Sequence, residues 1–427
     1  MTKMAEKGMF HVLFCNSGEY IQMRREKRRI LSPEGLIYLV LGCGIFAQMM
    51  SLFFSQGRFL ETIVYDFSRF TDFFDHVRRF YLGLDLVYQE GMHACFPPLA
   101  YCIYFLISRI LYNDNIGAPQ KLAVSGSGML VICMLTALFA LFFAFAFDRL
   151  FGARQSAGKK LLAFLLFCSY PFWLAVERGN MSQLVLILLM YACAWMDSEK
   201  KAEKEAALIL IAFAAGLKLY PAIFGVLYLA EKRYKEAIRL IIYGILLFFL
   251  PFIFFQGVDG FWIFLRNISA VGSGTTGVTI AGLCGRVGEA IGLDLALGHQ
   301  IGRILSILYL GIVVFFCFLN KKSWQTIALL TSLMIIFVAA SGTYCLVYWV
   351  IPFLCFMNDL YQRREYRKLD YVYAVLFALV FAAYPVRTLG SSGMLYAALY
   401  LLIVLILADQ TVLSVKRMKV MKRKKGV

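Results

Sequence analysis

Apolar runs of membrane-crossing length, separated by clusters of Lys and Arg, constrain this chain more than any other feature. Residues 35–54, 125–147 and 394–413 are nearly unbroken apolar stretches, each close to the roughly 20 residues that cross a hydrocarbon core about 30 Å thick. Soluble domains hold roughly 45 to 50% apolar residues, whereas this chain holds 61%. A soluble globule is thereby excluded, and the sequence predicts an all-α integral membrane protein. The net charge of +17, from 43 Lys and Arg against 26 Asp and Glu, would suggest nucleic acid if the cations formed one patch. They fall instead between the apolar runs, where they set topology, and no nucleic-acid partner is expected.

Positive-inside counting then gives an orientation. Basic clusters lie at 24–29, at Arg149, Arg154, Lys159 and Lys160, at Lys200, Lys201 and Lys204, at Lys232, Arg233, Lys235 and Arg239, at Lys321 and Lys322, at 363–368, and at 416–425. Placing both termini and every cluster in the cytoplasm yields about twelve crossings, near 34–54, 124–147, 161–177, 181–196, 206–217, 219–230, 240–255, 301–319, 324–340, 345–360, 371–385 and 393–412. The polar segment before Ser32 is too long for the head of a cleaved signal peptide, so the first helix is expected to stay in the plasma membrane.

One apolar stretch does not fit as a crossing. Residues 96–112 would force the Arg149 cluster outside, and they open with Pro97 and Pro98, which suit a helix start. An interfacial or re-entrant helix is the prediction, inside an outward loop of residues 55–123, long enough to suggest function. The expected organisation is a cytoplasmic segment 1–33, a catalytic membrane module 34–255, an outward Gly-rich loop 256–300 that is either flexible connector or active-site cover, membrane helices 301–412, and a basic cytoplasmic tail 413–427. No internal repeat is evident.

The first outward loop concentrates carboxylates among aromatics: Asp66, Asp72 and Asp75 lie within Tyr-Asp-Phe-Ser-Arg-Phe-Thr-Asp-Phe-Phe-Asp-His, residues 65–76. As a helix, this segment puts Asp72 and Asp75 on one face, with Phe70, Phe73, Phe74 and Val77 as an apolar edge that could lie on the bilayer. Such an acid can take the proton of an attacking hydroxyl; the plain alternative is an amphipathic helix whose acids face water. At Glu177-Arg178-Gly179-Asn180, a polar turn joins two spans. Arg178 can fork onto a phosphate, or simply pair with Glu177. Lys218, followed by Leu219, Tyr220 and Pro221, interrupts 25 apolar residues at 206–230, which therefore read as two short helices. A lysine there needs an anion or a path to the surface. The histidines, His11, His76, His93 and His299, have no metal-ligand spacing, and the eleven cysteines include no CxxC pair. No metal or cofactor is predicted, and a disulfide is conceivable only between Cys95 and Cys284, the two in outward-facing stretches.

The Asp-Phe-rich loop, the Phe96-Pro97-Pro98-Leu99 helix entry, the Glu177-Arg178-Gly179-Asn180 turn and Lys218-Leu219-Tyr220-Pro221 occur in the order and rough spacing of a known group. The chain resembles the C-type membrane glycosyltransferases, and within them glycosyltransferase family 87, which uses polyprenol-phosphate-mannose. The likeness covers residues 34 to about 255. It implies inverting transfer from a polyprenyl-phosphate sugar to a lipid or glycan acceptor on the extracytoplasmic face, without a nucleotide. By the same resemblance Asp72 is the candidate base and Asp66 the runner-up. Arg178 and Lys218 would hold the donor phosphate, while Asn180, Tyr220 and His93 would contact substrate. Tyr88, Phe96 and Tyr101 are further aromatics that could face sugar or lipid. The competing expectations are a lipid-linked oligosaccharide flippase or secondary transporter, and a structural envelope subunit.

Overall fold

In the computed structural model, described over residues 32–56, 70–90, 94–111, 119–152, 157–179, 181–271, 277–320, 322–338, 341–363, 365–382 and 392–424, the chain is helical, with no strand among those residues. Six helical segments are long and apolar enough to cross a membrane: Pro33–Phe54, Gly126–Phe151, Tyr234–Phe254, Leu295–Leu319, Thr343–Gln362 and Met394–Val415. A seventh is the pair Gly158–Phe167 and Tyr170–Arg178, bent by 49°. The all-α membrane class thus stands, with six or seven length-qualified spans where about twelve crossings were expected.

The difference has a physical reason. Helices such as Ser182–Trp195 (14 residues) and Lys201–Leu217 (17 residues) fall short of a full span, yet they lie inside the bundle, with Val185, Leu186, Leu189 and Met190 at 1% exposure or less. A helix wrapped by protein need not match the hydrocarbon thickness. Lipid-facing spans look different: Phe53 and Phe54 of the first helix are each 75% exposed, as expected where the solvent is the bilayer.

Three interior helices share a polarity that sets the site apart from the opposite end. Ser182–Trp195 leads from Ser182 to Asp197, and Lys201–Leu217 returns to Lys218. Thr343–Gln362 leads from Tyr344 to Arg363. At the end away from Lys218, Asp197 pairs with Arg233 at 3.1 Å and with Lys322, and Arg363 joins Asp359 and the buried Asp370, the latter at 2.7 Å.

Three local expectations from the sequence meet the structure here. Pro98–Ile110 is a short helix with proline at its first position. The Gly-rich segment 256–300, expected as a flexible connector or an active-site cover, holds the helices Gly257–Val271 and Ile280–Ala290. Glycines in and just after it serve packing: a Cβ on Gly298 would lie 2.8 Å from the Gly285 Cα, and one on Gly302 would lie 2.5 Å from the Ala281 Cα. Small residues let two membrane helices approach this closely. Cys95 and Cys284 are both free, so the conceivable disulfide is absent.

Candidate functional site

The acidic segment forms the helix Thr71–Arg78, and its two carboxylates part company despite sharing a face. Asp75 turns back onto its own helix, to Arg78 at 3.0 Å and Arg79 at 2.8 Å. Asp72 reaches across the fold to Arg178, 3.3 Å from Nη1, and stays about one-third exposed. Phe73, Phe74 and Val77 are 2%, 0% and 0% exposed. The apolar edge thus packs into protein and not onto the bilayer, which fixes where Asp72 points.

Arg178 ends the helix Tyr170–Arg178, and Gly179 terminates it with φ +60°. The tight turn is needed because the next helix starts at Ser182, and only glycine takes this conformation without strain. Space also demands it, since a Cβ on Gly179 would come within 2.7 Å of the Phe73 Cβ. The Gly179 carbonyl accepts from the Tyr104 hydroxyl at 3.3 Å. This turn therefore locks the Asp72 helix to the Arg178 helix.

Lys218 occupies the break after Lys201–Leu217, where its backbone is extended, and it is 5% exposed. It does not snorkel to the surface. Its Nζ donates to the Ser182 Oγ at 3.0 Å and lies 5.2 Å from the ring centres of both Phe96 and Tyr344 and 5.8 Å from that of Tyr220. An ammonium among aromatic faces is stabilised by their quadrupoles. The Tyr220 hydroxyl meets that of Tyr348 at 2.8 Å. Phe96 in turn lies against His76, tilted by 38° with 4.4 Å between ring centres, and parallel to Tyr104 at 6.3 Å.

Ser182, which accepts the Lys218 hydrogen bond, lies four residues beyond Arg178, across the Gly179 turn. The structure thus brings together Asp72, Arg178, Lys218 and Tyr220, four of the residues singled out in the sequence. The other three, Asp66, His93 and Asn180, lie outside the described residues. Ser182, Tyr344 and Tyr348 were not anticipated. A hydroxyl at the first position of an apolar helix and two of 24 tyrosines give no signal until the short helix Thr343–Trp349 packs against Tyr170–Arg178. Chemically, the cluster offers one accessible carboxylate that can take a proton and two cations that can meet a developing anion.

Among the described residues no group of three His, Cys, Asp or Glu is placed to hold a metal ion. No curated protein and no solved structure matches the chain. A family model, Glycosyltransferase family 87, matches residues 116–348. That range takes in Arg178, Ser182, Lys218, Tyr220, Tyr344 and Tyr348 and leaves out the Asp72 helix. The match covers more than half of the chain, and this all-helical membrane protein belongs to glycosyltransferase family 87.

Proposed function

We propose that this membrane glycosyltransferase takes its sugar, mannose by family resemblance, from a polyprenyl-phosphate donor and passes it with inversion to a lipid or glycan acceptor. The acceptor oxygen attacks the anomeric carbon, its proton goes to Asp72, and the carbon–phosphate-oxygen bond breaks with its electron pair on the phosphate. Arg178 and Lys218 meet the charge that develops there, the main electrostatic demand of such a transfer. The observation that carries this reading is the meeting of an accessible carboxylate with two cations at one end of the bundle: Asp72 3.3 Å from Arg178, and Lys218 buried beside them. Tyr220, Asn180 and His93 are the proposed sugar contacts, and Asp66 is the runner-up base.

The active site is assigned to the extracytoplasmic face of the plasma membrane, with both termini in the cytoplasm. Support comes from the basic residues Lys200, Lys201, Lys204, Arg233, Lys322 and Arg363, which gather at the helix ends away from Lys218. The test is transfer by purified protein from polyprenyl-phosphate mannose compared with a nucleotide-linked mannose. Transfer from the lipid donor alone is expected, with about a tenfold or greater loss in Lys218→Met because a charged phosphate contact is gone. Sealed inside-out vesicles should be active only after permeabilisation. Transfer from the nucleotide sugar, or full activity in sealed inside-out vesicles, would contradict the assignment.

A further inference from the structure

Glu177 is the least comfortable residue near the site. It is 3% exposed, and among the described residues neither carboxylate oxygen has a hydrogen-bond partner. Among the described residues its close charge partner is the neighbouring Arg178, whose Nε lies 3.2 Å from Oε2. It also occupies the last turn of its helix, where the dipole disfavours an anion. Burial without hydrogen bonds and a poor place on the helix both cost stability, so the residue must do something for Arg178.

Arg178 is held between two carboxylates of unequal standing. Glu177 grips Nε from inside the protein, whereas Asp72 meets Nη1 from the accessible side, 33% exposed. A guanidinium carries five N–H donors in a rigid fork. One can stay on Glu177 while the outer edge exchanges one anion for another, and a phosphate competes well for that edge because it can take two parallel bonds. We propose that Glu177 is a positioning residue that keeps Arg178 in the site while the donor phosphate displaces Asp72 from it, so that Asp72 is turned loose for the acceptor hydroxyl only once donor is bound. The inference rests on the phosphate role given to Arg178 above and adds an order of events: donor first, base second.

Purely electrostatic reasoning predicts that neutralising either carboxylate makes the site more cationic and tightens phosphate binding. The proposal predicts opposite signs. Binding of undecaprenyl monophosphate to full-length protein in nanodiscs should tighten about threefold in Asp72→Asn, the scale of a partly exposed ion pair. In Glu177→Gln it should weaken about tenfold, the worth of a charged contact that orients the fork, with partial recovery in Glu177→Asp. The gain in Asp72→Asn cannot come from misfolding. Tightening in both variants, or no gain in Asp72→Asn while Arg178→Ala still weakens binding, overturns this proposal and leaves the phosphate role of Arg178 standing. Undiminished binding by Arg178→Ala would overturn both.

Discussion

Gly179 shows how one residue can set the distance between two charges. Its φ of +60° and the 2.7 Å that would separate a new Cβ from Phe73 make any side chain there push on the Asp72 helix. Gly179→Ala should cost about 1 to 2 kcal/mol of stability from the left-handed backbone alone. It should also lower transfer more than a stability loss of that size explains, as a comparison of thermal unfolding with activity at low temperature would reveal. Asp75, one turn from Asp72, has another task. Burial pushes its carboxyl up, but the hydrogen bond and charge of Arg79, with His76 and Arg78, outweigh this and hold it below the ordinary carboxylate range. A carboxyl depressed in the folded state gives stability that is fully present above its unfolded value and lost as pH falls through the folded one. Thermal stability of the native chain should therefore fall between about pH 5 and about pH 2 more steeply than that of Asp75→Asn. At this scale the sequence was informative wherever a charge interrupts apolar residues, as at Lys218 and Arg178. It was silent on Tyr344 and Tyr348, whose type is ordinary packing material.

Among elements, proline was easier to read than glycine. Pro97 and Pro98 announce a helix start in the sequence, and the helix Pro98–Ile110 begins there. The glycines of 256–300 read as a flexible connector or an active-site cover, because sequence alone does not say whether a missing side chain serves turning or close approach. The structure shows close approach between Ile280–Ala290 and Leu295–Leu319, with the Gly302 backbone against Ala281 and Cys284. Gly302→Leu should thus part these helices and cost about 1 to 3 kcal/mol as overpacking, measured as a lower Tm in detergent. The Phe73–Phe74 edge is a similar case. Its periodicity predicts a helix, which forms, but the pattern cannot tell lipid from protein as the apolar partner.

For the molecule as a whole, composition and basic clusters define a membrane protein, and family membership sets the transporter alternative aside. Crossing number is harder to read, because interior helices such as Ser182–Trp195 escape the length rule that lipid-facing spans obey. What the bundle achieves is the meeting of segments far apart in sequence: Asp72, Arg178 and Tyr344 come from three separate helices, and Lys218 from the break after a fourth. The central claim is that this meeting makes Asp72 the base, and its direct test is transfer from polyprenyl-phosphate mannose by Asp72→Asn beside Asp75→Asn, two identical changes one turn apart on one helix. Loss of about 10²-fold or more in Asp72→Asn, with Asp75→Asn retaining most activity and both variants folded, is the predicted result. Equal activity in Asp72→Asn and the native chain would contradict the account.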